Sequence, residues 1–300
     1  KVLLPIDIFQ PHHATLKTLA GLVPLTQADV HLLYVREDLP SYEKVLESAG
    51  DFKEDFSHQV DEKAKKVLEQ VANELKPICK SVSSEVVAGT PALMIETVAR
   101  DEKCDITVLT PGHNQGIEIF FLGSVASKVV KHGPNTILIS REYCNGSDSN
   151  NAERKVLIAI DGSQQALEAL SACVPEFGLG GNQTQIELIH VVNVADALKL
   201  VSPVEYISIV ENNLLLEGET FLADAQKKLA DLGVRNVSCK LKEGDPASEI
   251  INYAKEIQAQ LVICGAKGRT AVQHFLLGSV SHRIAMHAPC SVAVVKAAKN

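Results

Sequence analysis

The chain has 300 residues, 46% of them hydrophobic and 22% charged, with a formal net charge of −8 at pH 7. That length fits one large domain or two of about 150 residues, the apolar fraction excludes a disordered chain, and the acidic balance argues against general nucleic-acid binding, which needs a basic footprint. Aromatic residues are 4% and tryptophan is absent, so the core must be aliphatic; seven cysteines without a CxxC pair fit free thiols in a reducing cytoplasm.

KVLLPID (1–7) opens the chain as an apolar strand ending in Asp7. DVHLLYV (29–35) is a second strand, and DEKAKKVLEQVANELK (61–76) is a helix with an apolar stripe between its charges. VVAGTPALMIETVA (86–99) runs from a strand into a helix, and FLGSVASKVVKHGPNTILIS (121–140) from a helix into a last strand. REYCNGSDSNNAER (141–154) has linker composition.

The same order then returns. KVLIAID (155–161) echoes the first strand, IELIHVV (186–192) the second, LKEGDPASEIINYA (241–254) the strand-to-helix passage, and LLGSVSHRIAMHAPCSVAVV (276–295) the closing stretch. Asp161 lies 154 residues after Asp7, and Gly278 lies 155 after Gly123. The spacing reads as a tandem duplication: 1–142, a linker at 143–153, and 154–300. Each half alternates strands with helices, and its strands are apolar throughout, as strands buried on both faces of a parallel sheet are. The expected fold is two doubly wound, five-stranded parallel α/β domains. No apolar run reaches membrane-spanning length and no leader is visible, so the chain is expected to be cytoplasmic.

The strands TILIS (136–140) and SVAVVK (291–296) end their units and need their edges covered. The halves are therefore expected to pack as an internal pseudo-dimer, which the short linker makes intramolecular, with a homodimer of two chains as a further step. Small-angle scattering that showed two independently tumbling lobes would exclude that packing.

The chemistry concentrates in GAKGRTAVQHFLLGSVS (265–281). In a doubly wound sheet, ligands bind at the carboxyl ends of strands where the strand order reverses. Gly265 and Gly268 let backbone N–H groups approach an anion, and Gly278, Ser279 and Val280 begin a helix whose free N–H groups favour phosphate. Ser279 and Ser281 add hydroxyls. Asp161, ending the first strand of the second half, would repel phosphate and so should face a sugar or base, or act through a divalent cation. The plainer reading is that Asp161 and Gly162 only turn the chain and Ser163 caps the next helix. Arg269 stands either on phosphate or over the loop mouth.

Gly265-x2-Gly268-x9-Gly278-Ser279, with GRT (268–270) and LLGSVS (276–281), resembles the ATP-binding signature of universal stress proteins. The resemblance covers both halves. It implies a five-stranded parallel sheet and pairing through the last strand. It also implies ATP, with or without Mg2+, held by Asp161 at the nucleoside, by the Val191 backbone at adenine, and by Gly265, Gly268, Gly278, Ser279, Val280 and Ser281 at the phosphates, with Arg269 a candidate beside them. The first half departs from the pattern: Thr110 and His113 stand where Gly265 and Gly268 stand. Asp7, Val35, Gly123, Ser124 and Val125 remain as a weaker second site.

Other features read as structural. FGLGG (177–181) precedes a strand and lacks the third glycine of a dinucleotide fingerprint, so it is a loop. Cys264 and Cys290 read as buried thiols, His190 as a core histidine, and His12-His13 as a helix start. His274 and His282 read as exposed. ALKLVSPVEYISIVENNLLLEGE (197–219) reads as a helix on its own sheet, or else as a flap over the nucleotide or a partner contact. Three functions remain open: a regulatory ATP-binding stress protein with slow hydrolysis at most, a nucleotide hydrolase of the adenine-nucleotide alpha-hydrolase type, and a ligand-free scaffold. No general base or nucleophile is placed by the sequence.

Overall fold

The computed structural model describes residues 1–37, 52–111, 122–141, 153–181, 183–194, 207–267 and 277–296. Two compact units emerge, the first of Lys1–Thr110 with Gly123–Ile137, the second in the main of Leu138–Asn300.

The first unit carries β1 (Val2–Pro5), α1 (His13–Leu22), β2 (Asp29–Arg36), α2 (Phe52–Leu75), β3 (Ser81–Ala88), α3 (Pro91–Asp101), β4 (Ile106–Leu109), α4 (Ser124–His132) and the start of β5 (Thr136–Ile139), whose Leu138 and Ile139 fall in the second. Its strand order is β3-β2-β1-β4-β5. The second unit carries β6 (Arg154–Ala159), α5 (Gln164–Glu176), β7 (Thr184–Val192), α6 (Ile207–Asp231), β8 (Val237–Glu243), α7 (Pro246–Glu256), β9 (Leu261–Gly265), α8 (Ser279–His287) and β10 (Ser291–Val295), in the order β10-β9-β6-β7-β8. The chain therefore winds outward one way, then starts again on the other side of β1 or β6. The expected α/β class and parallel pairing hold in both units.

The aliphatic composition explains the layers. Leu3, Leu4, Leu32 and Leu33 are buried in the first sheet, and Val156, Leu157, Leu188 and Ile189 in the second. Helix α2 buries Ala64, Leu68, Val71 and Leu75, and α6 buries Gly218, Leu222, Ala225 and Leu229, at the spacing of one helical face. Both helices begin well before the charged stretches that announce them in the sequence. In α6 the apolar run from Ile207 onward forms the opening turns, so from that residue on it is helix; residues 197–206 lie outside the described residues.

One edge is pinned by a relay not anticipated from the sequence. His31 on β2 is buried, with Nε2 2.9 Å from Glu85 Oε1 and Nδ1 2.8 Å from Ser83 Oγ, both on the edge strand β3. A carboxylate only accepts, so Nε2 carries the proton and Nδ1 accepts the Ser83 hydroxyl. In the second unit Arg141 is buried and donates to the carbonyls of Ala285, Met286, Ala288 and Cys290, closing the carboxyl end of α8. Burial draws its guanidinium down to about 10, still charged at neutral pH.

The plain readings of several residues hold. FGLGG forms the turn between α5 and β7, α1 starts at His13, and His282 is exposed on α8. Cys264 and Cys290 are buried, and burial pushes each thiol up to about 12, which rules out a thiolate nucleophile at neutral pH. His274 lies outside the described residues, and no helix among the described residues is long and apolar enough to cross a membrane.

Candidate functional site

Strands β6 and β9 are neighbours at the reversal of the second sheet, in register from Val156 opposite Leu261 to Ala159 opposite Cys264. Past these ends the chain parts. Strand β6 turns through Asp161, Gly162 and Ser163 into α5, while β9 ends at Gly265. Between them lies a cleft of about 820 Å³, which is ample for a nucleotide. Asp161, Val191, Gly265, Gly278, Ser279, Val280 and Ser281 all line it. Gly268, Arg269 and His113 lie outside the described residues.

Asp161 is part of a tight turn. Its Oδ1 accepts from the Ser163 N–H at 3.0 Å and the Ser163 hydroxyl at 2.7 Å. Ser163 in turn caps α5, its Oγ accepting from Ala166 N at 3.1 Å. Turning, capping and lining the cleft are thus done together. Gly162 has φ +76°, and a Cβ there would stand 2.2 Å from the Phe221 ring. Phe221 comes from α6 and meets His190 edge to face, with ring centres 5.5 Å apart. His190 Nδ1 lies 2.8 Å from the Ile160 carbonyl, so that nitrogen carries the proton. His190 is the buried histidine the sequence implied, and it also braces the ring over Gly162.

Gly162→Ala combines a left-handed backbone angle with this collision. It should destabilise the second unit by about 1–3 kcal/mol and move Phe221 toward the cleft. Denaturant melts compared with the native chain check this; an unchanged midpoint would mean that the ring does not pack on Gly162.

The opposite end of the cleft presents backbone. Helix α8 closes its first intrahelical bond from His282 N to Gly278 O, at 2.9 Å, and Gly278 offers no capping side chain. The N–H groups of Ser279, Val280 and Ser281 have no partner within the helix and carry its positive dipole end. Among the described residues nothing requires Gly265 to be bare: its backbone is not left-handed, and a Cβ would meet the Lys267 carbonyl at an ordinary 3.5 Å. The Ser281 hydroxyl donates to the Gly265 carbonyl at 2.6 Å. Its single proton is therefore used within the protein, and the expected phosphate donor is here a tie between strand end and helix start. The Gly278 N–H adds a second tie, to Ala266 O at 2.7 Å.

On the third side, β7 outruns β6. Ile160 N donates to Ile189 O on the β6 side, and Val192 O accepts from Gly244 N on the β8 side. By strand alternation, Val191 turns its carbonyl to the side that β6 has left. Leu214, Glu217 and Phe221 line the same cleft from one face of α6. The apolar 207–219 segment is thus both a helix and a cleft wall.

Sequence reasoning missed Phe221, Lys267 and the Asp245–Arg283 pair. Arg283 on α8 lies 2.9 Å from Asp245, which its hydrogen bond and those of Ser248 draw down to about 2. Nothing in the sequence links Phe221 to Gly162, or Arg283 to Asp245; only the fold brings them together.

The first unit is built differently at the matching places. Ile6 N donates to Leu33 O as Ile160 N does to Ile189 O, so Val35 holds the position equivalent to Val191, and Arg36 that of Val192. Ile8, buried, replaces Gly162. Arg36 pairs with Asp61 of α2 at 3.4 Å. Asp7 Oδ1 accepts a short-range turn bond from Phe9 N at 3.0 Å. Thr110 Oγ1 is 3.1 Å from Thr15 Oγ1. The helix start persists: Gly123 precedes Ser124 and Val125, and Ser127 N bonds Gly123 O at 2.9 Å.

Comparison with known proteins gives a consistent result. The model of the universal stress protein family matches residues 1–141 and again 153–296. Universal stress protein YxiE of Bacillus subtilis (strain 168) is 32% identical over 148 residues, covering 47% of this chain and 98% of that protein. A universal stress protein of Methanocaldococcus jannaschii is 31% identical over 155 residues, covering 51% of this chain and 87% of its own. The crystal structure of a universal stress protein from Archaeoglobus fulgidus aligns over 99% of this chain and 96% of its own, with a TM-score of 0.65 and 20% identity, a likeness of fold.

Proposed function

Both halves of this chain belong to the universal stress protein family, and from that premise we propose that the second half holds ATP as a regulatory ligand, with slow hydrolysis at most. One observation carries the reading. The bare backbone of Gly265 and the uncapped start of α8 face one cleft at the β6/β9 reversal, with Asp161 and the Val191 backbone on its other walls. Triphosphate would lie against Gly265 and the N–H groups of Ser279, Val280 and Ser281, joined by Gly268 and Arg269 of the loop. Ribose would meet Asp161, and adenine the end of β7. Mg2+ would enter with the phosphates; among the described residues no group of three or more His, Cys, Asp or Glu side chains is arranged to hold a metal by itself.

The turn after β6 disfavours the hydrolase alternative. A pyrophosphate-binding loop there needs open space above its glycine, and the Phe221 ring fills that space over Gly162. The family, the free thiols and the charge balance support a cytoplasmic stress protein that binds neither nucleic acid nor membrane. The division into 1–142, a 143–153 linker and 154–300, with the halves paired internally and chains able to dimerise, completes the proposal.

ATP at about 100 times its Kd should stabilise the second unit by about 2.7 kcal/mol, a melting shift of several degrees for about 150 residues. GTP should shift it less. A thermal scan without an ATP-dependent shift, on protein shown by mass spectrometry to be nucleotide-free, would end this reading.

A further inference from the structure

Resting on the reading of the cleft as a nucleotide site, we propose that Arg283 reads the length of the ligand's phosphate chain, with Asp245 as the partner it must leave. Arg283 sits one turn into α8. Helical side chains lean toward the amino end, so its guanidinium comes back beside the first turn, where the N–H groups of Ser279 to Ser281 open. Both Arg283 and Asp245 line the cleft.

Their contacts are unequal. Asp245 is fixed: its Oδ1 caps α7, accepting from Ser248 N at 3.0 Å and Ser248 Oγ at 2.7 Å. Arg283 is held, among the described residues, from outside its helix, by Nη1 to Asp245 at 2.9 Å and Nη2 to Ser248 Oγ at 3.1 Å. The pair is half exposed, 47% on each side, so exchanging Asp245 for a phosphate oxygen costs little. A single phosphate fills the cradle of backbone N–H groups. Further phosphates extend past it toward Asp245, whose carboxylate repels them. A guanidinium shared between acid and ligand lifts that repulsion, and its fork suits phosphate oxygens.

The first unit supplies a contrast. Gly89-Thr90-Pro91 stands where Gly244-Asp245-Pro246 stands, and Lys128 replaces Arg283. The acid and the fork are missing together from the half whose glycine loop is also missing.

Calorimetric titration of the nucleotide-free full chain at pH 7 with ATP, AMP and adenosine tests the assignment. Arg283→Gln should weaken ATP about tenfold, the worth of one charge-assisted hydrogen bond, and change adenosine by less than about twofold. Asp245→Asn keeps the helix cap and removes the charge; it should tighten ATP about threefold and leave adenosine alone. If Arg283→Gln leaves ATP affinity unchanged, or weakens ATP, AMP and adenosine alike, Arg283 is a structural clamp and the proposal fails. A native chain that binds none of the three overturns the nucleotide reading itself, and the proposal with it. That result differs from native binding of ATP that both variants share.

Discussion

Gly265→Val is expected to abolish ATP binding while the fold stands. Gly265 is the last residue of β9, in register with Val295, and its backbone angles suit any residue. Among the described residues a Cβ there meets the Lys267 carbonyl at an ordinary 3.5 Å, and a β-branched residue is at home at a strand end. The isopropyl group would project into the cleft, over the backbone that phosphate must approach. Losing several charge-assisted hydrogen bonds, at about 1.5–3 kcal/mol each, amounts to at least about a hundredfold in affinity. The apo melting temperature should move by only a few degrees. Calorimetry beside a thermal scan separates the two effects; native ATP affinity in this variant would place the anion elsewhere. Gly268→Val should act in the same way from within the loop.

The same calorimetry should count one nucleotide per chain, held in the second half. Three features of the first unit stand against a site there. Ile8 fills the position that Gly162 leaves to Phe221. Arg36 and Asp61 put an ion pair where Val192 forms an apolar end to the cleft. Thr110 brings a side chain, turned to Thr15, to the position of Gly265. The helix start at Gly123, Ser124 and Val125 retains an anion-favouring dipole, which alone makes only a weak site. Asp7→Ala should therefore leave affinity within about twofold, whereas Asp161→Ala should weaken it about tenfold, the scale of one strong polar contact to the nucleoside. Two equivalent sites per chain, or equal effects of the two substitutions, would show that the halves are not divided in this way.

The sequence by itself determined the repeat, the strand–helix alternation and the glycine-serine set. Each is a local signal: apolar runs mark buried parallel strands, 3.6-residue stripes mark helices, and glycines before a helix mark exposed N–H groups. The alignment of Asp7 with Asp161, and of Gly123 with Gly278, needed no coordinates. Helix starts were less legible. The opening turns of α6 carry exposed apolar residues such as Ile209 and Leu216 beside the cleft-lining Leu214, and so show no clean stripe.

Only the tertiary structure decided which residues face one another across the reversal of the sheet. Winding order brings β6 beside β9, and that pairing sets Asp161 and Gly265 on one cleft. The crossing of α6 over the turn lays Phe221 on Gly162, a contact set by the height at which a helix passes a strand end. The single proton of Ser281 goes to the Gly265 carbonyl because β9 and α8 meet at hydrogen-bonding distance, which no spacing along the chain prescribes. Arg283 finds Asp245 for the same reason. Local sequence fixes what each segment can offer; the packing of segments far apart in the chain fixes which offers meet.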